Sequence, residues 1–216
     1  MPQTCFELCA GGRSRGLAEI VTGDGNPRHK KVLQQDLECD IVGRNPLHTA
    51  CVLGHSNIIQ EFAKYNVNMN EPTTRGYLPI HYAAAWGQLD ALRTLVELGA
   101  DIHAVNFLDE IARDIAFRYA KHDCVEFLDW AEAKHALQTF ISSVQSAVTE
   151  QDKGKLHKDE KLRCLSACKA KNDWLSNVKN PTRQDLINQK QLLEDTLLPY
   201  LNKLAGHPEI VKSGKL

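Results

Sequence analysis

The stretch that decides the fold is GRNPLHTA at residues 43–50, which returns 33 residues later as GYLPIHYA at residues 76–83. Gly54 and Gly87 keep the same offset. A fixed period of this size is typical of stacked repeats, each of which is too small to bury its own apolar face. We therefore predict a linear stack of short helix pairs.

The residues inside one period agree with a helix pair. Pro46 and Pro79 suit the first position of a helix, where the missing N–H would have no partner in any case. The glycines at the shared offset suit the turn that ends this first helix. The second helix follows at residues 57–62 and 90–96, where apolar side chains spaced by three and four residues form one buried stripe.

The signature residues Pro-Leu-His at 46–48 and Gly-Ala-Asp at 99–101 resemble the ankyrin repeat. This resemblance implies an all-α solenoid of about four repeats over residues 1–133, and the apolar patterns after it predict a C-terminal helical bundle. The repeats are predicted as follows: a degenerate first repeat at 4–22, an insertion at 22–39, two well-formed repeats at 40–72 and 73–105, and a decayed repeat at 106–133.

Residues 134–205 are predicted to form the separate helical bundle. Leu137, Ile141, Val144 and Val148 form one amphipathic stripe, and a second stripe begins at Cys164. Thr182 followed by Asp185 is the pattern of a helix N-terminus. The last helix is lined by leucines, and residues 206–216 are expected to be a disordered tail.

The bundle also resembles the helical lid at the C-terminus of seventy-kilodalton heat-shock chaperones. The residues that carry this resemblance are Phe140, Ser146-Ala147-Val148, Lys153-Gly154-Lys155-Leu156, Asp173-Trp174-Leu175, the stretch 189–194 and the stretch from Pro199 to Leu204. The chain lacks the nucleotide-binding domain, the peptide-binding sandwich and the acidic tail of those chaperones. The resemblance implies a second docking module, with a heat-shock chaperone as one candidate partner.

Composition excludes several classes of partner. The formal net charge is −1, and the difference between residues 1–149 (13 basic, 18 acidic) and 150–216 (13 basic, 9 acidic) is too small to indicate a nucleic-acid site. No stretch is apolar enough to predict a membrane span, and the start lacks a signal-peptide pattern. Seven cysteines without a CxxC pair read as free thiols. We expect a protein of the cytoplasm or the nucleus, with neither nucleic acid nor membrane as partner.

No motif in the sequence predicts an enzyme, a cofactor or a metal site. A phosphate-binding glycine loop, G-x-S-x-G and H-E-x-x-H are all missing from the sequence. His48 and His81 are expected to bond the backbone at the repeat turn. Cys164 and Cys168 lie on one helix face, where core packing is the expected role. The basic residues from Lys153 to Arg163 are expected to be a solvated face.

The informative candidates are positions that the repeat pattern leaves free. Such positions tend to line the concave face of the stack and its hairpin tips, and large aromatic residues there are typical binding anchors. The alternative for Trp86 is packing onto the next repeat or the C-terminal helices. The candidates for protein binding are Thr49, Leu53, Arg75, Tyr77, Tyr82, Trp86, Phe107, Ile115 and Tyr119.

These observations favour a non-enzymatic intracellular adaptor that binds a protein partner through the concave face and hairpin tips. The alternative is a chaperone-associated regulator that acts through the lid-like bundle. An enzyme with a site on the bundle is a third, weaker possibility.

Overall fold

The computed structural model describes residues 9, 11, 40–150 and 156–205. Within those residues the fold is entirely helical, as predicted. Its eight helices are α1 (Pro46–Leu53), α2 (Ser56–Lys64), α3 (Pro79–Trp86), α4 (Leu89–Glu97), α5 (Ala112–Arg118), α6 (His122–Glu150), α7 (Lys158–Asn177) and α8 (Arg183–Ala205).

Each described repeat opens with the same tight hairpin turn. A polar side chain at its base accepts backbone N–H bonds from the turn: Asp40 from Val42 and Arg44, Thr73 from Tyr77, and Asn106 from Leu108 and Glu110. The fourth residue of each turn has a positive φ: 78° at Gly43, 71° at Gly76 and 58° at Asp109. Asp109 shows that the third repeat keeps the backbone of the signature after the glycine itself is lost.

We call the first helix of each repeat (α1, α3 and α5) its inner helix and the second helix, such as α2 or α4, its outer helix. The inner helices α1 and α3 end where the sequence predicted. The turn after α1 places Gly54 at φ 75°, and the turn after α3 places Gly87 at φ 72°. Only glycine adopts this conformation without strain. A side chain at position 87 would also meet the Lys121 side chain at 2.8 Å. The equivalent residue after α5 is Ala120, which has a φ of 53°.

Stacking of the repeats buries apolar side chains that a single repeat would leave exposed to water. The first helices α1, α3 and α5 pack side by side, α2 packs on α1, α4 packs on α3, and α2 packs on α4. The alanines of the signature, Ala50, Ala83 and Ala84, are fully buried, which lets the inner helices approach closely. The apolar stripes of the second helices, including Ile59, Phe62 and Leu92, fill the core between the layers.

Helix α6 crosses the predicted boundary between the repeats and the bundle. The sequence predicted a repeat ending at residue 133 and a separate bundle starting at 134. One helix runs without a break through His122–Glu150, and the chain divides into two compact units between Ala131 and Glu132, inside that helix. The domain boundary is therefore not marked by a loop.

The second unit is also helical, and α7 packs on α8. Its buried residues include Leu137, Ile141, Val144, Val148, Cys164, Cys168, Leu186, Leu193 and Leu197. The predicted start of the last helix is confirmed: the Thr182 N–H donates to Asp185 Oδ2 at 3.0 Å, and the Asp185 N–H donates to Thr182 Oγ1 at 3.1 Å. Pro199 lies inside α8, as the sequence indicated.

Three predictions fall mainly outside the described residues: the degenerate repeat at 4–22, the insertion at 22–39 and the tail at 206–216. Among the described helices, none combines the length and the apolar character needed to cross a membrane.

Candidate functional site

The two signature histidines hold the backbone of the repeats that carry the candidate surface. His48 Nδ1 accepts the Asn45 N–H at 3.1 Å, and its Nε2 lies 3.1 Å from the Glu71 carbonyl oxygen. His81 repeats this arrangement with the Leu78 N–H at 2.9 Å and the Ala104 carbonyl at 2.9 Å. Since Nδ1 accepts, each ring carries its proton on Nε2 and donates it to the carbonyl. The predicted role of both histidines is confirmed.

Burial keeps both imidazoles neutral. It lowers the pKa of His48 to about 4, and it lowers the pKa of His81 as well. A neutral imidazole can accept at one nitrogen and donate at the other, whereas a protonated one would lose the bond at Nδ1. These rings therefore serve to join the inner helix to the loop that leads to the next repeat.

The strongest candidate feature is a row of three side chains at the ends of the inner helices. Leu53 and Trp86 are the last residues of α1 and α3, and Tyr119 is the residue that follows α5. Leu53 is 43% exposed, Trp86 is 60% exposed and Tyr119 is 53% exposed. They occupy the same position in consecutive repeats. Because Trp86 is mostly exposed, it does not pack onto the next repeat. We call these three residues the inner row.

The parallel series one turn earlier is only partly available. Thr49 and Tyr82 are half-buried. The ring of Tyr82 meets the ring of His48 edge-on at 5.4 Å, and burial raises the pKa of its hydroxyl. The prediction for Ile115 is wrong: it is 1% exposed and belongs to the interior. The decayed third repeat buries an apolar residue where the second repeat places a tyrosine with a polar end.

The hairpin tips carry an aromatic cluster next to the inner row. Tyr77 is its centre, with ring centroids 5.8 Å from Tyr82 and 5.9 Å from Phe107. The Arg75 guanidinium lies over the Phe107 ring, 5.6 Å from its centroid. A backbone bond of 3.1 Å from the Phe107 N–H to the Arg75 carbonyl holds the two tips together. The structure thus brings Arg75, Tyr77, Tyr82 and Phe107 into one contiguous group.

Sequence reasoning missed three exposed apolar residues at these tips: Ile41, Val42 and Leu108. Val42 and Leu108 are one period before and after Arg75. Extending the period from Arg75 in both directions would have found them. Ile41 and Val42 make the first described tip apolar, and Phe107 and Leu108 do the same for the third.

Two other arginines of the repeats are already paired with carboxylates. Arg44 Nε lies 2.6 Å from Asp40 Oδ2, and Arg118 Nη2 lies 3.0 Å from Glu110 Oε2. Arg75, in contrast, has no carboxylate within ion-pair distance among the residues that the structure describes. Its charge is available at the tip.

A depression of about 410 Å³ adjoins the first end of the inner row. It is lined by Asp40, Arg44, Thr49, Val52 and Leu53. Its lining mixes one ion pair with apolar side chains, and it extends the exposed surface around Leu53. It continues the candidate surface and does not form an enclosed small-molecule site.

Within residues 40–150 and 156–205, no group of three or more His, Cys, Asp or Glu side chains is placed to hold a metal ion. The free cysteines of the described residues, Cys9, Cys51, Cys124, Cys164 and Cys168, are all buried. Burial raises the pKa of the Cys168 thiol to about 11. Cys164 and Cys168 thus have the core role that the sequence predicted.

Sequence comparisons agree with this architecture. A profile described as Ankyrin repeats (3 copies) matches residues 18–106. Ankyrin repeat domain-containing protein 45 of Danio rerio is 48% identical over 198 residues, covering 90% of this chain and 87% of that protein. The Homo sapiens protein of the same name is 49% identical over 206 residues, covering 94% and 77%.

The Mus musculus protein of that name is 45% identical over 196 residues, covering 90% of this chain and 79% of that protein. None of these comparisons tests the resemblance of the bundle to a chaperone lid, which stays a prediction. The repeat geometry and the extent of these similarities together show that the chain belongs to the ankyrin-repeat family, alongside ankyrin repeat domain-containing protein 45.

Proposed function

Ankyrin repeats imply a role in protein interaction, and we propose that this chain is a non-enzymatic adaptor whose binding surface is the inner row together with the hairpin tips. The observation that carries the proposal is Trp86. It is 60% exposed at the centre of three equivalent positions that all hold large side chains. Tryptophan and tyrosine are the residues most often found as energetic anchors of interfaces.

The surroundings of Trp86 support an anchor role. Tyr82, one helical turn before Trp86, packs against the rings of His48 and Tyr77, so these side chains have little freedom left to lose when a partner binds. Inner-row residues in the neighbouring repeats extend the apolar area on both sides. A partner that covers Trp86 would therefore meet a largely apolar surface, which is typical of the centre of a stable interface.

The proposal is tested by affinity purification with the full-length chain and Trp86→Ala. Truncation of an anchor costs about 2 kcal/mol or more, close to a thirtyfold loss of affinity. We expect specific partners to be lost from the variant. The matched control is Phe117→Ala, which removes another exposed aromatic residue (67% exposed) whose counterparts Cys51 and Ala84 are buried between repeats. Partners that survive Trp86→Ala as well as they survive Phe117→Ala would contradict the proposal.

We further propose that the protein works in the cytoplasm or the nucleus. The support is its cysteine usage, since five buried free thiols suit a reducing compartment. Imaging of the tagged full-length protein tests this, and accumulation in a secretory compartment would contradict it.

A further inference from the structure

The hairpin tips are joined by a short ladder of backbone hydrogen bonds that ends with an open acceptor. The Thr74 N–H donates to the Val42 carbonyl at 3.3 Å, and one repeat later the Phe107 N–H donates to the Arg75 carbonyl at 3.1 Å. The next acceptor in this series is the Leu108 carbonyl. Among the described residues no N–H donates to it, because helix α6 takes the place of a further hairpin.

The side chains around this open acceptor are apolar. Phe107 is 55% exposed and Leu108 is 49% exposed. The corresponding residues of the preceding tip are Thr74 and Arg75, which are polar. The outer face of a terminal repeat is normally polar, since it must tolerate water. An apolar tip with an unused backbone acceptor is therefore suited to an extended chain that adds to the ladder.

The charge at this tip favours an acidic partner. The central carbon of the Arg75 guanidinium lies 5.6 Å from the centroid of the Phe107 ring, so the positive charge stands beside the apolar tip. A guanidinium can bind a carboxylate through two parallel hydrogen bonds. Arg44 and Arg118 already have carboxylate partners, and Arg75 has none among the described residues.

We infer that the tip formed by Arg75, Phe107 and Leu108 binds an extended acidic-apolar segment of a partner protein. A carboxylate of the segment pairs with Arg75, an apolar side chain covers Phe107 and Leu108, and a backbone N–H donates to the Leu108 carbonyl. A polyanion such as RNA is disfavoured because Asp109 is exposed on the same hairpin. The inference rests on the proposed function and adds the chemistry of the partner.

The test is selection of random twelve-residue peptides, displayed on phage, against the immobilised full-length chain. We expect the selected peptides to carry Asp or Glu close to an aliphatic or aromatic residue. A synthetic peptide of the selected sequence should bind Arg75→Glu at least tenfold more weakly than it binds the unchanged chain. Arg75→Gln, which removes the charge without reversing it, should show a smaller loss.

The matched control is Arg93→Glu. Arg93 also lies over a phenylalanine ring, 5.5 Å from the centroid of Phe127, but it belongs to the outer helix α4 and not to a hairpin tip. We expect Arg93→Glu to bind the peptide like the unchanged chain. Arg75→Glu and Arg93→Glu should both keep the thermal unfolding midpoint of the unchanged chain. Equal losses in the two variants, or no loss in Arg75→Glu, would overturn the inference.

The backbone part of the inference has its own measurement. N-methylation of each amide of the selected peptide in turn should reduce binding at the position that donates to Leu108, by tenfold or more. Tolerance of N-methylation at every position would overturn the ladder extension, and failure to select any peptide would overturn the inference as a whole. If a natural partner is lost from Trp86→Ala but not from Arg75→Glu, the proposed function is supported and the inferred acidic-apolar segment is contradicted.

Discussion

The Nε2 of His81 lies 2.9 Å from the carbonyl oxygen of Ala104, twenty-three residues further along the chain. His48 and the Glu71 carbonyl have the same separation in sequence and a distance of 3.1 Å. Each ring also accepts the N–H that opens its own helix. One buried side chain thus satisfies two backbone groups that the stack removes from water, which is why the signature needs histidine and not simply a polar residue.

His81→Ala is expected to lower the free energy of unfolding by about 2–4 kcal/mol, because it leaves both the Leu78 N–H and the Ala104 carbonyl without their partner. Urea unfolding of the full-length chain measures this. The matched control is Asp114→Ala at the equivalent position of the third repeat. There the carboxylate is about half exposed and accepts a single bond of 3.4 Å, so the loss should be under about 1 kcal/mol. Similar losses for both variants would contradict this role of histidine.

Acidification is expected to destabilise the stack. Burial lowers the pKa of His48 to about 4 in the folded protein, below its ordinary value of 6.5. Between these values the unfolded chain binds a proton that the folded chain does not, so stability is complete above pH 6.5 and falls as the pH drops toward 4. This one group accounts for about 2 kcal/mol between pH 7 and pH 5. Burial also lowers the pKa of His81, which adds in the same direction.

The measurement is the urea midpoint at pH 7, 6 and 5, a range in which few carboxylates titrate. His48→Gln should be less stable at pH 7 and should show a shallower dependence on pH. An NMR titration of the imidazole signals gives an independent check, because the His48 ring should remain neutral at pH 5.5. A protonated His48 in the folded protein at that pH would refute the explanation.

The repeat architecture was predictable because its determinants are local and recur. Pro46 and Pro79 begin helices, Gly54 and Gly87 end them, and the spacing of apolar residues identifies the buried faces. Each of these signals acts within a few residues. The Thr182 and Asp185 pair was predictable for the same reason, since the cap is formed by side chains three residues apart.

What the sequence could not predict depends on packing between distant residues. Ile115 occupies the position of Tyr82, but it is buried where Tyr82 is only half-buried. The sequence did not show where the two compact units divide, because α6 runs unbroken through Ala131 and no glycine or proline marks the division. The availability of Arg75 was equally hidden. It emerges only when Arg44 and Arg118 are seen to have partners.

Ala120→Gly is expected to stabilise the protein. Ala120 has a φ of 53° in the turn where the two better repeats have glycine, and an L-residue there is strained by about 1–2 kcal/mol. Part of the gain is offset by the greater freedom of glycine in the unfolded chain, so the net effect should be roughly 0.5–1 kcal/mol. The thermal midpoint and urea midpoint should both rise. Ala85→Gly, inside helix α3, should lower stability by about 1 kcal/mol.

Thiol labelling is expected to report the opening of each compact unit separately. Cys51 is fully buried in the first unit and Cys168 in the second, and burial raises the pKa of both thiols, that of Cys168 to about 11. Since the thiolate is the reactive species, each cysteine should be modified only when its surroundings open. Iodoacetamide labelling at pH 8 followed by peptide mapping gives the two labelling rates. We expect both rates to be at least a thousandfold below those of the chain in 6 M urea, which corresponds to a domain stable by about 4 kcal/mol or more.

Destabilising the repeats with His81→Ala should accelerate labelling of Cys51. If Cys51 and Cys168 accelerate by the same factor, the two units open together; if only Cys51 responds, they open independently. Rapid labelling of Cys51 in the unchanged protein would show that the repeat core is not closed as described.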